Sequence, residues 1–401
     1  MECFSWLFVN LSLSVKLYTK LVWVINRLSV MGWKEVSHRM VELINIYIAK
    51  LPLKNRAKQN FLNTKNFIND NEILLYSDFV RNCNWSNVEA DKISLLENHY
   101  NVQSFDWKFE DNQSWFQCPA TGFNWPRKFF HNINFRIGGE NGDVRIVWEA
   151  SRLQQLVVLA YIADTDTTHS DKAIKIYLSQ FDSWYQNNSP YQGPHYISVM
   201  ECALRVISVC FASSMLKGKI EDDSYWLRQS NLITSHVEVI LERLSLHSSS
   251  GNHTLTEAVG LIFAGKFYSK HPRAKKWSII GEKLFSDEFI RQTNPDGSGI
   301  EQTTWYLKFI FELAVITMPL INSENKSFLQ DRVDTVHLFL SEMMVDDKLL
   351  DYGDSDSGFA VSRYLNFITH DTSKSQNQIH FQDAGLVKIK HGKAVVFFDY
   401  G

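Results

Sequence analysis

Eight stretches of this chain carry apolar residues at helical spacing, and only short polar turns separate one from the next. They lie near residues 148–163, 171–186, 195–215, 226–246, 254–269, 276–291, 303–320 and 328–345. In the first, Leu153, Leu156, Val157 and Ala160 fall on one stripe of a helix with 3.6 residues per turn. The joints, such as Asn187-Asn-Ser-Pro-Tyr-Gln-Gly-Pro194 and His247-Ser-Ser-Ser-Gly-Asn252, are built of turn residues and are too short to reach far. Successive helices are therefore expected to pack as antiparallel neighbours. At 401 residues, with 45% apolar and 21% charged side chains, the chain can bury a large core. The fold class expected is mainly α, an incomplete (α/α) toroid over residues 31–350.

The pattern changes after residue 350. Asp351-Tyr-Gly-Asp-Ser-Asp-Ser-Gly358 is rich in turn formers, and residues 385–400 read as two alternating strands joined at His391-Gly392. A lone hairpin is marginal in water. Residues 351–401 are thus expected to be a linker and the first strands of an antiparallel β-sandwich, truncated at Gly401. At the other end, residues 4–25 are strongly apolar, but Lys16 and Lys20 interrupt them. A membrane span needs about 20 apolar residues without such charges, and no signal-peptide pattern stands out. Residues 1–30 are expected to form an amphipathic segment packed on the domain, and membrane association is not expected.

A net charge of −3 leaves no basic footprint, so nucleic acid is not the expected partner. An anionic ligand would have to be met by local positive groups. Aromatic residues make up 13%, with twelve Trp, and flat aromatic faces suit the apolar face of a sugar ring. The five cysteines are scattered without a Cys-X-X-Cys pair and read as free, mostly buried thiols, which fixes no compartment. The sequence holds no phosphate-binding or dinucleotide-binding glycine loop, no nucleophile elbow and no metal-ligand spacing.

Two glycine-marked helix starts carry the candidate chemistry. In Gly251-Asn-His-Thr-Leu-Thr-Glu257, Thr254 and Glu257 have the spacing of a capping box, which puts Asn252 and His253 at the mouth of a helix. Free backbone N–H groups and the positive end of the helix dipole favour an anion there. An amide and an imidazole beside them can neutralise a uronate carboxylate and so acidify its α proton. As a plain alternative, Asn252 caps the helix and His253 is a surface histidine. In Asn294-Pro-Asp-Gly-Ser-Gly-Ile-Glu301, Ser298 and Glu301 repeat the capping spacing, and Gln302 and Tyr306 are four apart on the next helix. Tyr306 could exchange a proton with a leaving oxygen, or pack in the core with Trp305, Phe309 and Phe311. Trp148, Arg152 and Gln155 share a face at i, i+4 and i+7, with Glu149 alongside, and Glu201 and Arg205 are an i, i+4 pair. Structural roles are expected for Glu149 and Glu201, while Arg152 and Arg205 are candidates to hold carboxylates or sulfates.

Taken in order, six segments resemble the heparinase II/III-like polysaccharide lyases, including their alginate-lyase-like members. They are Met31-Gly-Trp-Lys-Glu-Val-Ser-His-Arg39, Val147-Trp-Glu-Ala-Ser-Arg152, Met200-Glu-Cys-Ala-Leu-Arg205, Gly251-Asn-His253 with Gly260-Leu261 and Ala264-Gly265, Asp296-Gly297 with Glu301-Gln302 and Tyr306, and Tyr352-Gly-Asp-Ser-Asp-Ser-Gly358. The resemblance implies β-elimination on an acidic, uronate-containing polysaccharide in a cleft between toroid and sandwich. Asn252 would neutralise the carboxylate, His253 would support it or contact substrate, and Tyr306 would be the general acid and could also serve as the base. Trp148, Arg152, Arg205, Glu301 and Gln302 would contact substrate. No cofactor is expected in this chain, although some members bind a metal in the sandwich. The family's association with envelope polysaccharides favours a bacterial periplasm or cell envelope over the cytoplasm. Two departures stand out: Leu307 follows Tyr306 where members commonly have His, and the sandwich histidine of the family has no counterpart before Gly401. Two other readings stay open, a non-catalytic glycan-binding toroid and an (α/α) glycoside hydrolase. The hydrolase would need two carboxylates across the cleft at roughly 5–9.5 Å, with Asp296 and Glu301 the nearest candidates.

Overall fold

The structure is a computed structural model that describes residues 22, 26, 29–51, 67–109, 115–136, 142–322, 324, 326–354, 358–369, 378–391 and 394–400. Most of the 1–30 segment and Cys3 lie outside the described residues. The fold is mainly α. Three helices lead in: α1 (Trp33–Ala49), α2 (Asp70–Arg81) and α3 (Val88–Leu95). A hairpin of β1 (His99–Val102) and β2 (Phe105–Lys108) follows, turning through Gln103 and Ser104, both at positive φ. After α4 (Val144–Ala150) come four helix pairs: α5 (Gln154–Thr165) with α6 (Ser170–Asn187), α7 (Val199–Leu216) with α8 (Asp223–Glu242), α9 (Asn252–Phe267) with α10 (Ala274–Gln292), and α11 (Thr304–Thr317) with α12 (Lys326–Glu342).

The pairs form two layers. Helices α5, α7, α9 and α11 each touch the next in line, while α6, α8, α10 and α12 each pack on the preceding member. This is an incomplete (α/α) toroid, with inner and outer helices alternating along the chain. Burial follows the layering. Every residue of α7 except Met200 is buried, and α5 and α9 are nearly as enclosed. Outer α6 buries only Ala173, Ile176, Tyr177, Gln180, Phe181 and Trp184, the single stripe of an amphipathic helix. Helix α7 is long and apolar enough to cross a membrane, but it is enclosed as an inner helix of the ring.

Helix α2 packs at the carboxyl ends of the inner helices. The Tyr76 hydroxyl donates to Ile316 O (2.8 Å), and its ring meets Phe211, Phe263 and Phe267 edge-on. Arg81 pairs with Asp164 at 2.8 Å. The amino ends of the inner helices lie at the opposite end of the ring, which is where the candidate residues fall.

Several local expectations are corrected. The stretch near 148–163 is two helices, because Leu153 adopts a left-handed backbone (φ 61) between α4 and α5. Trp148, Arg152 and Gln155 therefore share no continuous helix face. Thr254 and Glu257 are not a capping box: the N-cap is Gly251, Thr254 donates to Ser245 O, and the Glu257 carboxylate accepts the Ser245 N–H and hydroxyl, both at 2.7 Å. Ser298 and Glu301 cap nothing either, since α11 begins at Thr304 and Gln302 sits before it at φ 50.

Past the helices, β3 (Met344–Val345) pairs with β4 (Lys348–Leu349), and β5 (Gln378–Phe381), β6 (Leu386–His391) and β7 (Ala394–Asp399) form an antiparallel sheet in the order β5-β6-β7. His391 pairs with Ala394, so the expected hairpin forms, although residues 392 and 393 of its turn lie outside the described set. The sheet is fixed to the ring by a buried ion pair, Lys388 to Glu342 at 2.8 Å, and by Phe381 against Phe339.

Candidate functional site

At the amino end of α7, Glu201 is buried and receives the Arg152 guanidinium in a two-pronged contact, Nε at 2.9 Å and Nη2 at 3.0 Å. Arg152 also pairs with Glu149. Burial works to raise the Glu201 pKa, but Arg152 outweighs it and holds the carboxyl below its ordinary range. Arg152 thus bridges two carboxylates. The expected Glu201–Arg205 pair does not form, because Glu201 is taken by Arg152 while the Arg205 guanidinium donates to His195 O and His236 Nε2.

His253, in the first turn of α9, feels both Glu201 and Arg152. Its side chain is open to solvent, yet protein crowds it enough to lower its pKa, with Glu201 opposing that shift. It is neutral at pH 7. Among the described residues neither its ring nor the half-buried Asn252 amide has a hydrogen-bond partner. The first N–H groups of α9 likewise lack intrahelical acceptors. Gly251, at φ 149, permits this entry into the helix, and a Cβ there would stand 3.6 Å from Glu301 Oε1. The two glycine-marked segments therefore meet. Glu301 and Tyr306 line one small hollow with Gln292 and Ile310. Burial raises the Glu301 pKa and nearby Arg291 opposes it. Arg291 also donates to Ser250 Oγ at 3.1 Å, adjoining Gly251. Sequence reading passed over Arg291, which sits in the last turn of α10 with no motif around it.

Beside these ends lies a cleft of about 640 Å³, walled by the β1–β2 hairpin, Glu149, Gln154, Trp305, Phe359 and Arg363. Trp305 and Phe359 supply aromatic surface, while Tyr100 is buried behind it. Arg363 lies over Tyr100 and pairs with Asp91 at 3.1 Å, and Lys308 lies over Phe359 while bound to Glu312 at 2.5 Å. The hairpin and residues 359–363 gave no sequence signal, because they join the cleft only through tertiary packing.

Other candidates fall elsewhere. Arg205 is fully buried and donates to His195 O (2.6 Å) and to His236 Nε2 (2.9 Å), against the faces of Trp184 and Tyr196. It cannot reach a substrate, so the binding role expected for it is withdrawn. Arg152 is committed to two carboxylates and is nearly buried, which makes it a positioning group rather than an open anion receptor. Trp148 donates its indole N–H to Pro194 O (2.9 Å) and lines a separate hollow with Phe135 and Arg145. Gln302 is exposed next to the α11 start. Asp296 is saturated: it accepts Ser298 N–H and hydroxyl on one oxygen and Asp383 and Ala384 N–H on the other. That removes it as half of a hydrolase carboxylate pair. Among the described residues no group of three or more His, Cys, Asp or Glu converges as a metal site. The described cysteines are free, with Cys118, Cys202 and Cys210 buried and Cys83 partly so.

Comparison with known proteins places this arrangement in context. The chain is similar to a crystal structure of heparinase III (17% identity over 66% of this chain and 40% of that one, TM-score 0.45). It is similar to a second heparinase III with methylated lysines (15%, 73% and 45%, TM-score 0.44), and to heparan sulfate lyase HepC from Pedobacter heparinus (14%, 66% and 40%, TM-score 0.41). The chain thus spans less than half the length of these structures. No curated protein matches it. The heparinase II/III N-terminus family matches residues 53–337, which takes in every helix from α2 to α11 and most of α12. By that match the chain belongs to the heparinase II/III family.

Proposed function

We propose that the amino ends of α9 and α11 form one wall of a lyase site acting on an acidic, uronate-containing polysaccharide by β-elimination. The observation that carries the reading is the pair of unpartnered polar side chains, Asn252 and His253, on a helix amino end that faces the start of α11. A uronate carboxylate placed there would receive the Asn252 amide and the free N–H groups of α9, with neutral His253 adding a hydrogen bond. Withdrawing charge from the carboxylate acidifies the C5 proton. Tyr306, as phenolate, would take that proton, the C4–C5 double bond forming as the 4-O glycosidic bond breaks, and the resulting phenol would return the proton to the leaving oxygen. The Arg152–Glu201 pair would set the electrostatic surroundings of His253, and Trp305 would offer a stacking face along the cleft. Family membership and the aromatic cleft support a polysaccharide ligand.

The test is the ultraviolet absorbance of the unsaturated uronate product, measured with sulfated and unsulfated uronate polymers. Activity is expected for at least one polymer, and Asn252→Ala or Tyr306→Phe should each lower it by about 10²-fold or more. Absence of product from every polymer, or variants as active as the parent, would overturn the reading. Glycan binding that survives both substitutions without any product would instead identify a non-catalytic toroid.

A further inference from the structure

Helix α1 is amphipathic in the reverse sense for a helix on a water-soluble domain. The side it turns to the ring is polar. His38 Nε2 meets Leu244 O at 3.0 Å, the Asn45 amide donates to Glu242 O at 3.0 Å, Arg39 donates to Ser249 Oγ at 2.6 Å, and Glu35 accepts from Ser248. Only Ile46 and Ala49 of its seventeen residues are buried. The side it turns outward is apolar: Trp33 (80% exposed), Met40, Ile44, Tyr47 (66%), Ile48 and Leu51. At 3.6 residues per turn the five within the helix fall within about a third of the circumference, with Ser37 among them and Leu51 just past the helix end. Lys34 and Lys50, both exposed, flank the stripe one on each side. A mainly apolar face bordered by lysines is what an interfacial helix presents to a bilayer, with the ammonium groups reaching the headgroups.

Charge distinguishes a membrane from a second copy as the occupant. Residues 1–65 contain ten Lys or Arg against three Glu, whereas residues 66–401 contain 31 against 41. The near-neutral total therefore hides a basic amino-terminal sequence followed by an acidic remainder. Two copies meeting through the stripe of α1 would bring the exposed Lys34 and Lys50 of each together. An anionic lipid surface would attract the same charges.

We propose that α1 docks the protein on an anionic membrane surface, its apolar stripe lying in the interface and the toroid held above it. This departs from the expectation drawn from the lysines that interrupt residues 4–25, and it is independent of the lyase reading. The full chain is to be co-sedimented with vesicles of phosphatidylethanolamine and phosphatidylglycerol (3:1) and with phosphatidylcholine vesicles, its oligomeric state being measured by light scattering. Binding to the anionic vesicles is expected, weakened by salt and by phosphatidylcholine. The triple substitution Trp33→Ser, Ile44→Ser, Tyr47→Ser should lower partitioning at least tenfold without changing the thermal midpoint, because all three side chains are exposed. Lys34→Glu with Lys50→Glu should lower it on the anionic vesicles alone. No vesicle binding by the parent chain, equal binding by the triple variant, or a dimer that the triple variant dissolves would each overturn the proposal.

Discussion

Arg205 shows how much of a buried cation can be satisfied without a carboxylate. Its guanidinium is held by the His195 carbonyl, by His236 and by two aromatic faces. His236, whose pKa burial pushes well below the ordinary value, is neutral and offers Nε2 as acceptor while Nδ1–H donates to Leu232 O. Arg205→Ala should cost on the order of 3 kcal/mol in urea unfolding, since it opens a cavity and strands carbonyls. A substrate-binding arginine would leave stability unchanged. Arg152→Ala should cost about 3–5 kcal/mol, because Glu201 would remain buried without its counter-ion. Neither role was legible in the sequence. The i, i+4 spacing of Glu201 and Arg205 suggested a surface pair, and the real partner of Glu201 lies 49 residues away on another element. By contrast, Asn252 and His253 were legible as a helix opening, because glycine-led turn chemistry is local.

The turns before the inner helices are fastened in ways that local pattern does not report. Glu257 is buried under the 245–250 loop, and burial raises its pKa to about 8 despite the Ser245 hydrogen bonds and Arg243. An acid whose pKa is higher folded than unfolded binds its proton more tightly in the native state. Its contribution is complete below the ordinary pKa of about 4.5 and is lost as pH rises toward 8. Thermal midpoints should therefore fall between about pH 4.5 and 8 in the parent chain, and Glu257→Gln should flatten that limb. At the start of α11, Thr304 Oγ1 donates to Leu350 O and accepts from Tyr352 N–H. Gly353 adopts φ 79, and a Cβ there would come 2.2 Å from Gln302 O. Gly353→Ala should thus cost about 1–3 kcal/mol and lower any activity through Tyr306 more than binding at α9, as separate measurements of turnover and glycan affinity would show. Helix existence was readable here, but boundaries were not. The periodicity of residues 148–163 runs straight across the break at Leu153, because leucine gives no sign of a left-handed backbone.

At the scale of the molecule, the helix pairs and the change of character after residue 350 follow from periodicities strong enough to survive any local error. The division into inner and outer layers does not, since it depends on which helices lose all their solvent contact. The sheet is coupled to the ring through the buried Lys388–Glu342 pair. Lys388→Ala should leave Glu342 uncompensated at a cost of about 3–5 kcal/mol, seen as faster hydrogen exchange in β5–β7 than in α5 or α9. Helix α2 has a different bearing on the whole. Because Tyr76 and Arg81 tie α2 to the carboxyl ends of α11 and α5, that end of the ring is covered by α2 among the described residues. Under the proposed lyase reading, a glycan would therefore meet the ring at its amino-end face and lie across the rim, and cutting within a chain would be geometrically as accessible as cutting at its end.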